Sequence, residues 1–119
     1  MAYDEFLADR VRQVLSEKKT SFEEKKMMGG LCFMVEDKMC IGVGIDKTKG
    51  TSRIMARIGE DEYPQALHKN GCSEFNITGK AMKGFVFVSE EGIDIQDDLE
   101  YWIQQCLNYN PFAKSSKKK

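Results

Sequence analysis

Four cysteines, Cys32, Cys40, Cys72 and Cys106, and a single histidine, His68, are the side chains with which this chain could hold a metal, run a redox couple or attack an electrophile. Their spacing argues against all three. There is no Cys-x-x-Cys pair and no Cys/His pair of finger-like spacing, whereas tetrahedral zinc takes ligands presented together, usually from short loops. Cys32 and Cys40 fall in alternating apolar runs and Cys106 in the apolar stripe of a helix, so they read as small buried hydrophobes. His68 adjoins Lys69 near the end of a short polar helix and reads as a solvated or C-capping residue. The carboxylates gather at Glu60 to Glu62 and between Glu90 and Glu100, as solvated helix entrances rather than a convergent acid/base pair. No serine has a nucleophile-elbow context. Gly42-Val43-Gly44 leads into no helix, so it is not a phosphate loop. The expectation is a protein that is not an enzyme, with no metal, no cofactor and no disulfide.

The residues left with a chemistry are basic, and their distribution is uneven. The formal net charge is -1, but four of the 18 basic residues are lysines after position 113, so residues 1–112 hold 14 basic against 19 acidic residues, or -5. A body of that sign is not a duplex-binding surface. Tight duplex binding takes about 6 to 10 phosphate contacts. Lys26, Lys80 and Lys83, with Arg57 on a neighbouring strand, instead suggest a small basic rim. Met27, Met28 and Met82 stand beside glycines and could form an adaptable apolar patch within it. These seven residues are the candidate binding surface. The expected partner is another protein or a second copy of the chain as a homodimer, with no nucleic acid bound directly and tightly.

The elements that must position these residues can be read from periodicity. Residues 4 to 18 form a helix with Phe6, Leu7, Val11, Val14 and Leu15 on one face and Asp4 as N-cap. Phe22 to Met28 is a weaker extended segment. Leu31 to Val35 and Met39 to Ile45 alternate as a hairpin across Glu36-Asp37-Lys38. The glycines of its second strand leave a shallow face, as where a helix or backbone lies close. Arg53 to Ile58 continues as a strand, and Glu60 to Lys69 as a short helix ending at Asn70-Gly71. Ser73 to Ile77 and Lys83 to Val88 follow as strands joined at Thr78-Gly79-Lys80. Leu99, Trp102, Ile103, Cys106 and Leu107 mark a final helix capped by Asp94. The chain thus predicts a single two-layer α+β domain over residues 1–112. An antiparallel sheet of five to six strands carries the terminal helices on one face, with Phe6 and Trp102 both in the core. Residues 113–119 read as a disordered lysine-rich tail.

A chain of 119 residues, 41% hydrophobic and 31% charged, suits one such domain with one core. Its apolar runs fall well short of the roughly 20 residues that cross a bilayer, and Asp4 and Glu5 stand where a signal peptide has basic residues. No membrane association is expected, and the cytoplasm is the expected compartment.

Lys26-Met27-Met28-Gly29-Gly30, the strand Met39 to Val43, and Gly79-Lys80-Ala81-Met82-Lys83-Gly84-Phe85-Val86-Phe87-Val88, followed by Glu91-Gly92 and the Leu99/Trp102 helix, together resemble the N-terminal domain of the TfoX/Sxy family of bacterial proteins. The likeness runs from about Phe6 to Asn108. Family members typically carry a phenylalanine at the position of Met28 and a tighter Asp-Gly turn at Glu36-Asp37-Lys38. The resemblance implies a regulatory domain. Longer members co-activate transcription in natural competence and add a second domain similar to helix-hairpin-helix DNA-binding modules, which this chain is not expected to have. It also implies a fold like that of small dimeric chaperone-like domains. Three classes follow from residues and resemblance together. A protein-interaction module requires an exposed apolar or methionine-rich patch. A competence or transcription co-regulator contacting nucleic acid requires Lys25, Lys26, Lys80 and Lys83 to converge. A small enzyme of unknown reaction requires a deep pocket with perturbed acids or cysteines.

Overall fold

The computed structural model of the chain describes residues 3–27, 30–46, 49–75 and 83–113. Its elements follow in the order α1 (Glu5–Glu17), β1 (Glu23–Met27), β2 (Gly30–Val35), β3 (Lys38–Asp46), β4 (Thr51–Arg57), α2 (Tyr63–Ala66), β5 (Cys72–Glu74), β6 (Phe85–Ser89) and α3 (Gln96–Tyr109). The strands form one antiparallel sheet, β1-β2-β3-β4-β6-β5. The domain is therefore the α+β, two-layer arrangement that the periodicity predicts, with the full six strands.

Side chains of a strand alternate between faces, so one apolar set per strand can be buried under the helices. Leu31, Phe33 and Val35 of β2, Ile41 and Val43 of β3, Ile54 and Ala56 of β4, and Val86 and Val88 of β6 form that set. Above them lie Leu7, Ala8, Val11, Val14 and Leu15 of α1 and Leu99, Trp102, Ile103 and Cys106 of α3. Trp102 is buried as expected. Phe6 is not: it is 74% exposed, because a helix turns about 100° per residue and Phe6 falls beyond the edge of the stripe that Leu7 begins.

Local chemistry explains most of the boundaries. The Asp4 carboxylate accepts from the Phe6 and Leu7 backbone N–H groups at 2.9 and 3.3 Å, which satisfies two of the donors that every helix start leaves open. Its second oxygen accepts from the Ser52 hydroxyl at 2.8 Å, tying the helix to β4. Between β2 and β3, Glu36 and Asp37 both take positive φ, 54° and 63°, the two-residue type I′ geometry that matches strand twist. The three-residue turn expected there is thus one residue tighter. A register shift at Phe33/Met34 lets Cys40 and Ile41, consecutive in sequence, both reach the core. Gly30 meets a hard limit, since a Cβ there would collide with the Val43 carbonyl oxygen.

Other boundaries differ from the sequence reading. α2 keeps only Tyr63–Ala66, with Pro64 in its first turn, and the rest of Glu60 to Lys69 is turn. α3 starts one residue later than an Asp94 cap requires; its N-cap is Ile95, which makes no side-chain capping bond, leaving Asp97 and Asp98 to face the positive end of the helix. β5 ends at Glu74 and Phe75 follows outside the strand, while Asn76 and Ile77 of the expected strand, with the Thr78-Gly79-Lys80 turn, lie outside the described residues. So does Lys114 to Lys119, whereas Ala113 is buried. The glycines of β3 do not face a helix: an added Cβ at Gly42 would touch the Met55 side chain, and one at Gly44 would meet nothing within 4 Å. Among the described residues no helix is long and apolar enough to cross a membrane.

The Asp4 bonds yield a direct test. Asp4→Ala should lower unfolding free energy by about 1 to 2 kcal/mol, read from urea denaturation, and Asp4→Asn should retain most of it. An unchanged midpoint in Asp4→Ala would show that the cap is not formed.

Candidate cationic and aromatic binding face

Burying Val86 and Val88 obliges Phe85 and Phe87 to stand on the opposite, helix-free face of the sheet, where both are half-buried. Register places Arg57 opposite Phe85, and Met55 opposite Phe87. The guanidinium carbon of Arg53 lies 3.6 Å from the centre of the Phe87 ring and that of Arg57 lies 5.2 Å from the Phe85 ring, within the range of cation–π attraction. Phe75 packs on both rings at 4.8 and 5.6 Å between centres. Arg53 is also held by Asp46 at 3.7 Å, and Arg57 donates from Nη1 to the Met39 carbonyl at 3.3 Å. The arginines are thus fixed in place rather than free to sweep solvent.

At the end of this face the sheet opens into a cleft of about 240 Å³. Its floor comes from two left-handed glycines, Gly59 at φ 88° and Gly84 at φ 96°. The Ile58 and Gly59 N–H groups both donate to the Gly84 carbonyl, at 2.8 and 3.1 Å. A side chain at Gly59 would collide with the Tyr109 ring, so glycine is required on two counts. Arg57, Lys83 and Phe85 line the cleft from the sheet, Tyr109 and Phe112 from the helical layer, and Glu60 is its acid. Phe112 is 78% exposed, a large aromatic left in solvent at the mouth of a cationic hollow.

The expected binding residues are therefore divided. Arg57 and Lys83 come together in the cleft. Lys26 does not join them: it is exposed on β1, at the sheet edge, three strands from β4 and so about 14 Å away across the sheet. It pairs with Leu31, which puts it on the helix-facing side. The Met27 backbone pairs with Gly30. Met28, Lys80 and Met82 lie outside the described residues. Sequence reasoning passed over Arg53, Phe75, Phe85, Phe87, Tyr109 and Phe112. The Phe-Val-Phe alternation of β6 could have found two of them, whereas Tyr109 and Phe112 meet the cleft only through the packing of α3.

The thiols are built into the fold instead of this site. Burial pushes Cys32 and Cys72 up to about 11. Cys106 is raised as well, by burial first and then by its hydrogen bond with Cys40. Thiols held protonated are poor nucleophiles. Among the described residues no three of His, Cys, Asp and Glu converge as metal ligands.

The sheet is thus covered by helices on one face and carries arginines and aromatic rings on the other. The TfoX N-terminal domain family model matches residues 14–109, most of the chain, and the protein belongs to that family. A search of curated proteins finds no match.

Alkylation tests the thiol environment. With the native protein, labelling should be slow at pH 8 and the Cys72 rate should rise about tenfold per pH unit toward 11, in step with its thiolate fraction. These raised thiols should also make stability fall as pH climbs from 9, where unfolded-chain thiols ionise, to 11. Fast labelling of one cysteine at pH 7 would contradict both.

Proposed function

We propose that this is a non-enzymatic regulatory domain that acts by binding a protein partner through the Arg57/Lys83 cleft and its rim. The observation that carries the reading is Phe112, 78% exposed beside two cations, Arg57 and Lys83, held on a rigid glycine floor. An exposed aromatic anchor surrounded by fixed polar groups is the usual make-up of an interface centre. Two cations against one acid favour a partner segment that is acidic. Family membership supports the regulatory part of the proposal. Protonated thiols and a cleft with a single carboxylate support binding over catalysis. A regulatory domain of this kind belongs in the cytoplasm. Control of transcription or competence would then run through a DNA-bound partner, the basic residues contributing a rim and not a duplex groove.

Replacing Lys83 by glutamate and Phe112 by alanine alters the rim at two exposed side chains while leaving the core untouched. With partner capture from native cytoplasm compared side by side, the double variant should lose the proteins that the wild-type chain retains, at an unchanged melting temperature. Equal recovery by both would remove the cleft from consideration.

A further inference from the structure

The strand that carries the open face has a second reading. Lys83-Gly84-Phe85-Val86-Phe87-Val88 follows the RNA-recognition strand pattern Lys/Arg-Gly-Phe/Tyr-Gly/Ala-Phe-Val at every position except Val86, and the aromatic that closes the longer pattern is Glu90 here. Val86 points into the core, where a branched side chain packs without altering the opposite face. In that pattern the two aromatic rings stand on the exposed side of a sheet and stack unpaired bases.

Here both rings are partly covered, because Phe75, itself buried, packs on each of them, and the surface left for a base is the guanidinium that lies over each ring. Phe85 and Phe87 stand on the helix-free side of β6, two residues and so about 7 Å apart along the strand. Arg53 lies over Phe87 and Arg57 over Phe85, and a guanidinium plane is itself a stacking surface for a base. The Arg53 side chain keeps 26% of its surface exposed. Lys83 is exposed at the start of the strand, and Lys25, three strands away from β4, lies on this face with Cys32. Gly44, opposite Arg53, leaves open space between them. Asp46 is the acid beside Arg53. The net charge of the body works against a duplex that must be gripped by many phosphate contacts. It is less of an obstacle to a single strand, where stacking supplies much of the affinity.

We propose that the open face of β4 and β6 binds single-stranded nucleic acid. Successive bases stack on the exposed guanidinium faces of Arg53 and Arg57, which rest on Phe87 and Phe85, and Lys83 contacts the backbone. An acidic peptide would meet the same charges but has no flat rings to place on them. The proposal goes beyond the protein-binding reading and does not rest on it.

Fluorescence anisotropy with the full chain tests it, using labelled oligo(U) and oligo(dT) of about ten nucleotides at physiological salt. Both strands should bind in the micromolar range; a preference for oligo(U) would mark recognition of the 2′-hydroxyl. Phe87→Leu and Arg53→Gln should each weaken binding about tenfold, and Phe87→Tyr should retain it. A polyglutamate peptide and a duplex of matched length should compete poorly, and removing Lys114 to Lys119 should leave most of the affinity. Melting curves run on every variant identify misfolding; should Phe87→Leu unfold, Arg53→Gln, at the surface, carries the test alone. The proposal is overturned by three results: no binding of either strand, affinity unchanged in a folded variant, or polyglutamate displacing RNA as well as unlabelled oligo(U) does.

Discussion

The two-residue period of β4 and β6 beneath the helical layer is the constraint from which the rest of the structure follows. Ile54, Ala56, Val86 and Val88 are fully buried against the helices, and shifting either strand by one residue would exchange them for Arg53, Met55, Arg57, Phe85 and Phe87. Placing two arginines and two half-exposed rings in the core would be prohibitive, so the register is strongly specified. The same fact places those residues together on the open face. Core and candidate site are two sides of one alternation.

The pairing of β4 with β6 is not local in sequence, since α2 and β5 lie between them. Its end is fixed by the Gly84 carbonyl, which accepts from both Ile58 and Gly59. That two-pronged bond sets where β4 stops and β6 begins, and it holds Arg57 beside Lys83. α3 is anchored at both of its ends. Arg10 donates to the Ile93 carbonyl at 2.9 Å just before the helix. The Asn110 side chain donates to the Val35 carbonyl at 3.2 Å just after it, with Lys38 capping the Asn110 carbonyl at 3.1 Å. These ties bring Tyr109 and Phe112 to the cleft, so its aromatic rim depends on a hairpin more than 70 residues earlier in the chain.

How much of this was legible in the sequence follows from how local each cause is. The α1 start, the hairpin and the α3 stripe were readable because Asp4, the Glu36–Asp37 turn and Leu99, Trp102, Ile103 and Cys106 act within a few residues of themselves. Phe6 misled because hydrophobicity alone cannot say which edge of a stripe meets the sheet. The overlong α2 had suitable end signals in Pro64 and Asn70-Gly71, but it lacks an apolar stripe sufficient to hold more than one turn. Of the basic residues, Arg57 and Lys83 are neighbours because β4 and β6 pair, whereas Lys26 resembles them in chemistry and is placed elsewhere by the strand order. Arg53 carried no signal at all: its role is defined by a ring 34 positions away.

The central claim is that the open face of β4 and β6, together with the cleft at its end, is where this domain meets its ligands. Amide-resolved NMR of the isotopically labelled full chain, titrated with oligo(U), tests this most directly. The account predicts shift changes concentrated in Arg53 to Arg57 and Lys83 to Ser89, strongest around Phe85 and Phe87, with α1 unaffected. Shift changes confined to the C-terminal lysines or to the outer side of α1, with β4 and β6 silent, would contradict it.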